Sequence, residues 1–369
     1  MSRGVAERLE GKSICIVAGS GGVGKTTASA ALALGLAASG KRVAVVTIDP
    51  ARRLAESLGL DELGNDPRRV DPQLLAAHGA PIEGELWAMM LDPKATFDDL
   101  ITRLSPDDQT REDVLGNRIY QQLSSAVAGS QEFTAVAKLY DLHHEGGFDV
   151  LVLDTPPSRN ALDFLDAPDR LTDFFEGRAL KVLLVPTGIA AKLMSRGTSV
   201  VFKILKSLTG VDLMDDIAVF FRALGGLMDG LKQRAAGVKA LLADPATTFL
   251  IVTSPEREPV AEAIFFHGKL RDARMAFGGL IVNRVTVADG EAGETEAVRA
   301  RLVAEGLDGA IAAKVAASVT DLRRLAARDA EQIARLRDEL DEPDPIVVPR
   351  LDGEVQDIEG LVALRDALM

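Results

Sequence analysis

Cysteine is almost absent from this chain. The one thiol, Cys15, stands in the apolar run Ile14-Cys15-Ile16-Val17, so no disulfide framework and no thiolate cluster for zinc or an iron–sulfur centre can be assembled. A reducing cytoplasm is the expected setting. Histidine is scarce as well: His78, His143, His144 and His267 show no metal-ligand spacing of the HExxH kind and read as surface or hydrogen-bonded side chains. Trp87 and the phenylalanines are scattered, without the stacking pattern of a single-strand binder. Positive charge is in deficit, with 42 Lys and Arg against 55 Asp and Glu and a net charge of -13, which works against general attraction to a phosphate backbone. Nucleic acid is therefore not an expected partner. No uncharged apolar run reaches the roughly 18 residues of a membrane span, and Met1 to Lys12 carries charges without a signal-peptide core. The longest uncharged stretch, between Lys25 and Lys41, suits a helix buried against a sheet.

What remains is a chain of 369 residues, 47% apolar, with ample material for a core. Short runs rich in β-branched residues read as buried parallel strands: Ser13 to Ala18, Val43 to Ile48, Val150 to Leu153, Val182 to Val185, Phe249 to Val252, Leu280 to Val282 and Ile346 to Val348. Helical stretches alternate with them, which predicts an α/β fold with a doubly wound, mostly parallel sheet and a ligand at the carboxyl ends of its strands. Two interruptions, at about 92–145 and 188–244, exceed an ordinary crossover. Both have helical periodicity and are expected to form a helical subdomain within a single domain spanning 1–369. The segment Ala288 to Gly309 reads as loop plus surface helix. Asp321 to Leu340 reads as a packed surface helix, with Leu322, Leu325, Ile333, Leu336 and Leu340 on one face and Pro343 closing it.

The chemistry gathers at three strand ends. Gly19-Ser20-Gly21-Gly22-Val23-Gly24-Lys25-Thr26-Thr27 follows a strand and opens a helix, the context in which a glycine-rich loop cradles phosphates. In that reading the glycines let backbone N–H groups approach phosphate oxygens, Lys25 supplies a point charge to the β- and γ-phosphates, and the Thr26 hydroxyl ligates Mg²⁺. Thr27 starts a helix whose N-terminal dipole adds to the anion site. Asp49, in Asp49-Pro50-Ala51-Arg52-Arg53, is placed to orient or deprotonate an attacking water, although an Asp before Pro also makes a helix cap. Asp154 ends the strand Val150 to Leu153 as a Walker B acid, reaching Mg²⁺ through water.

Together with the long helical insert, the glycine loop, Asp49-Pro50-Ala51 and Asp154-Thr155-Pro156-Pro157 resemble the ArsA and guided-entry ATPases, within the larger group of MinD, ParA and nitrogenase iron protein. The resemblance implies a dimeric, cytoplasmic Mg-ATP hydrolase with Asp49 in switch I and Asp154 in switch II. It also implies that Asn283 reads the adenine amine, and that Pro349, Leu351 and Asp352 lie in the adenine loop. One departure stands out. The family carries a lysine directly before the paired glycines, reaching across a homodimer to the partner's phosphates, and Ser20 occupies that position here. Slow hydrolysis in a homodimer, or a paralogous partner that supplies the cation, is the expectation. The missing cysteines remove the metalloid, cluster and zinc-clamp chemistry known in the group. Two roles stay open: an ATP-gated chaperone or targeting factor for hydrophobic or membrane-destined clients, and a regulatory or energising ATPase subunit. The apolar insert reads equally as a client groove, which suits the first, and as a self-contained helical core, while Lys192, Arg196, Lys203 and Lys206 give it a basic face suited to peripheral contact with anionic lipid.

Overall fold

The computed structural model describes residues 4–49, 53–118, 120–121, 131–155, 212–288, 295–351, 353 and 355–369. Eight strands form one sheet: β1 Ile14–Ala18, β2 Arg42–Thr47, β3 Arg68–Arg69, β4 Glu85–Met90, β5 Val150–Asp154, β6 Thr247–Thr253, β7 Phe277–Val285 and β8 Ile346–Pro349. Their order is β3-β4-β2-β5-β1-β6-β7-β8, parallel throughout except for the β3–β4 pair at one edge. The α/β, mostly parallel architecture expected from the sequence is the one found. The helices, in chain order, are α1 Val5–Arg8, α2 Lys25–Ala38, α3 Arg53–Ser57, α4 Pro72–Ala77, α5 Pro93–Leu104, α6 Asp108–Leu115, α7 Gln131–Glu145, α8 Asp212–Leu242, α9 Arg257–Asp272, α10 Thr295–Ala304, α11 Gly309–Leu340 and α12 Ile358–Leu368.

β1, β5 and β6 are buried along their whole length. Strands covered on both faces need no polar alternation, which is why these runs are continuously apolar. α2 is buried nearly all round, so its alanines and Gly35 let it sit close to its neighbours, among them α12. Gly35 marks that contact: a Cβ there would lie 2.8 Å from the Met369 side chain. The expected buried helix after Lys25 is thus α2.

Two strands were not read from the sequence. β4, Glu-Leu-Trp-Ala-Met-Met, contains no β-branched residue, and β3 is two exposed arginines paired antiparallel to it. The expected strand at Val182 to Val185 lies outside the described residues. α11 departs from expectation in a second way. It begins at Gly309 rather than Asp321, capped by Asp308, and it ends at Asp341 in the left-handed region (φ 51°) before Pro343 is reached. Its leucines do not share one buried face: Ile333, Leu336 and Leu340 are buried, whereas Leu322 and Leu325 are exposed. A 32-residue helix is about 48 Å long against about 30 Å for the nine-residue β7. One end of it has no sheet to cover.

The chain divides into two compact units, Met1–Met90 with Phe148–Ala161 and Asp244–Met369, and Leu91–Gly147 with Leu162–Ala243. The first carries the sheet. In the second, α5, α6, α7 and α8 pack on one another, with Leu104 against Gly230 and the Arg234 guanidinium 4.3 Å from the Tyr140 ring centre. Leu227, Leu231 and Val238, apolar positions of the second insertion, are buried there. The basic residues Lys192, Arg196, Lys203 and Lys206 lie outside the described residues.

Candidate nucleotide site

β1 lies between β5 and β6, and the chain leaves it for β2 on one side before returning to the other half of the sheet through β6. Such a reversal opens a crevice at the carboxyl ends of the strands. The glycine loop fills it. Gly19 has φ 152°, and a Cβ on it would lie 2.0 Å from the Val252 carbonyl oxygen of β6. Gly24, the residue before α2, is left-handed (φ 94°), and a Cβ there would lie 2.5 Å from Asn283 Nδ2. Only glycine fits either position. The loop thereby delivers the N-terminus of a 14-residue helix to the crevice, where its free N–H groups and dipole favour an anion.

Lys25 is buried, and its Nζ donates to the Ser20 carbonyl at 2.8 Å. Burial pushes the ammonium below its ordinary pKa, opposed by the carboxylates of Asp154, Asp49 and Glu262. A cation held by a neutral backbone oxygen is ready to exchange it for a phosphate. Asp154 is fully buried; its Oδ2 accepts from Thr26 Oγ1 at 2.7 Å and from Thr47 Oγ1 at 2.8 Å. Burial raises its pKa to about 6 against those two hydrogen bonds and Lys25, with Asp49 adding to the rise. Among the described residues its Oδ1 has no hydrogen-bond partner. An orphaned carboxylate oxygen beside the Thr26 hydroxyl is the donor set a hydrated Mg²⁺ requires, so the residues fit that ion. Asp49 lies two residues past the end of β2, half-buried, with its N–H donating to Thr47 Oγ1 at 3.2 Å.

Thr47 was not singled out from sequence, yet it binds both acids' segments. The signal was its register: as the last residue of β2 it pairs with Asp154 across the sheet. Glu262 was also missed. It projects from α9 to accept from the buried Ser20 hydroxyl at 2.5 Å, a long-range contact that no local pattern announces. Ser20 is therefore tied within its own chain.

A cavity of about 880 Å³ opens over the loop. Gly22, Gly24, Lys25, Thr26 and Thr27 line one part, with Asp49 and Thr155. Asn283, Pro349 and Leu351 line another, so the structure brings together residues from β2, β7, the β8 loop and the glycine loop. Gly21 is exposed, while Ser20, Val23 and Asp154 are buried and are not among the walls. Asp352 lies outside the described residues. Asn283 Nδ2 donates to the Val23 carbonyl at 2.8 Å and its Oδ1 accepts from Arg284 N–H at 2.9 Å. Its carboxamide thus braces the glycine loop, a contact the sequence reading did not foresee. Arg53, Arg284 and Arg350 also line the cavity. With Lys25 they make four cations against Asp49 and Glu56 in the same walls, a net positive lining suited to a polyanion despite the acidic chain.

The chain is 29% identical over 309 residues to the ATPase ARSA1 of Chlamydomonas reinhardtii, covering 76% of this chain and 37% of that protein. It is 33% identical over 155 residues to the ATPase get3 of Aspergillus terreus, 41% of this chain and 42% of that one. A putative arsenical pump-driving ATPase 1 of Aquifex aeolicus is 28% identical over 254 residues, 68% and 57% respectively. The chain thus spans less than two thirds of the length of each of these relatives. Residues 12–306 match the model of the anion-transporting ATPases, and the chain belongs to that ArsA ATPase family.

Proposed function

We propose that the chain binds Mg-ATP in the 880 Å³ cavity and hydrolyses it. The observation that carries this reading is the convergence of Lys25, Thr26, Asp49 and Asn283 on one cavity, with buried Asp154 hydrogen-bonded to Thr26. Lys25 exchanges the Ser20 carbonyl for the β- and γ-phosphates, and the N-terminus of α2 holds the β-phosphate. Thr26 and, through water, Asp154 would hold Mg²⁺, which neutralises charge on the phosphates when bound. Asp49 orients the attacking water and takes its proton as the γ-phosphoryl group leaves for the water oxygen. Pro349 and Leu351 supply apolar contact to the base, with Asn283 Oδ1 as the acceptor for its amine. Lys25→Ala should abolish ATP binding and Asp49→Asn should leave binding intact while removing turnover. Tight ATP binding by Lys25→Ala would sink the assignment.

The biological role follows the resemblance: an ATP-gated, dimeric chaperone or targeting factor for hydrophobic or membrane-destined clients, working in the cytoplasm or at a membrane surface. The support is the apolar second insertion and the likeness to get3. Among the described residues no helix is long and apolar enough to cross a membrane. The second reading, a regulatory or energising subunit beside a paralogue, is favoured by Ser20, whose hydroxyl supplies no charge to a partner's phosphates. Capture of an apolar peptide only with ATP supports the first role; turnover indifferent to such peptides and raised by a paralogue supports the second.

A further inference from the structure

α10 and α11 form a helical hairpin whose first helix has no buried residue. The matched family region ends at residue 306, before α11 begins. On α11, Ala312, Ala316 and Thr320 are buried. Beside them runs a second, open stripe: Ile311 is 56% exposed, Val315 37%, Leu322 45% and Leu325 42%. With Ser318, also exposed, their spacing is 4, 3, 4 and 3 residues, the alternation that keeps a seam facing a partner helix. Four large apolar side chains at this exposure on one solvent face are a cost unless something covers them.

We propose that this seam pairs with the same seam of a second copy, the two helices running antiparallel about a two-fold axis between Ala316 and Ala317. That register stacks Ile311 on Leu322 of the second copy and Val315 on its Ser318, and the small side chains at the centre let the backbones approach. Charge selects the same register. Lys314 and Asp321 flank the stripe on one side and are both exposed, Asp321 in a solvent-exposed pair with Arg324 of its own helix at 3.3 Å; in the antiparallel pair each Lys314 also meets Asp321 of the other copy, twice per dimer. A parallel pairing would set Lys314 beside Val319 and Asp321 beside Ala326 of the second copy, leaving neither charge a partner across the seam. The seam covers about two heptads, so the contact is weak and reversible, and it needs no nucleotide. It stands on the helix surface alone and does not depend on the ATPase reading.

The experiment is sedimentation velocity of the full chain over a concentration series without nucleotide, with ATP binding measured separately on the same preparations. A monomer–dimer equilibrium is expected, weakened at least about tenfold by Leu322→Glu. Lys314→Glu should weaken it as well, and the double variant Lys314→Glu with Asp321→Lys should restore it. Mere helix damage cannot produce that restoration. A monomer at every concentration, or a dimer unmoved by Leu322→Glu, overturns the proposal. So does a monomer that floats with phosphatidylcholine vesicles and loses them on Leu322→Glu, which would make the stripe a lipid surface.

Discussion

At the residue scale, a few side chains of the nucleotide site have unusual surroundings. Gly24 has its φ at 94° with Asn283 Nδ2 in the space a methyl would take. Gly24→Ala is therefore expected to push Asn283 off the Val23 carbonyl and weaken nucleotide binding by at least about tenfold, read by calorimetric titration. Asp154 gives a pH signature. Its pKa is about 6 in the fold against 3.8 when unhindered, so the native chain holds this proton more tightly than the unfolded one. Between those values the unfolded state is ionised and the native state is not; stability falls as pH rises through that window and levels off above it. The loss is about 3 kcal/mol at most. Urea midpoints from pH 4.5 to 7.5, without nucleotide or magnesium, should show this slope for the native sequence and a flatter one for Asp154→Asn. Equal slopes would mean the buried carboxyl titrates normally. Cys15, fully buried and with its thiol pushed well above its ordinary range, should resist thiol reagents at pH 8 until the chain unfolds.

At the scale of elements, the strands of the central sheet announce themselves because burial on both faces demands continuous apolar runs, as in Ile14-Cys15-Ile16-Val17. β4 escapes for the converse reason: of its six residues only Trp87 favours a strand, Glu85, Leu86, Ala88 and the two methionines do not, and its register with β2 makes it one. The glycine loop was legible because its chemistry is local. Thr47 and Glu262 were not, because each acts on a residue brought close by the fold, Thr47 on Asp154 and Glu262 on Ser20. α11 shows the limit of periodicity, which says that leucines share a face but not whether anything lies against it. Its two halves should respond differently to truncation. Leu336→Ala, buried, is expected to cost about 2–4 kcal/mol. Leu322→Ala should cost less than about 1 kcal/mol at concentrations where the chain is monomeric. Denaturant midpoints of the two variants decide the matter, and equal losses would place Leu322 in a core.

At the scale of the whole molecule, one unit carries the sheet and the cavity and the other is a packed set of helices. A polyanion held by loops from β1, β2, β5, β7 and β8 joins segments far apart in sequence, so its binding should stabilise the sheet-bearing unit as a whole. At a hundredfold excess over its dissociation constant the gain is about 2.7 kcal/mol. The central claim is that this cavity binds Mg-ATP through the buried Lys25. Its most direct test is calorimetric titration of Mg-ATP into the native chain and into Lys25→Ala. One saturable site per chain is expected in the first and none in the second, with both variants equally folded; equal binding by the two would contradict binding through Lys25.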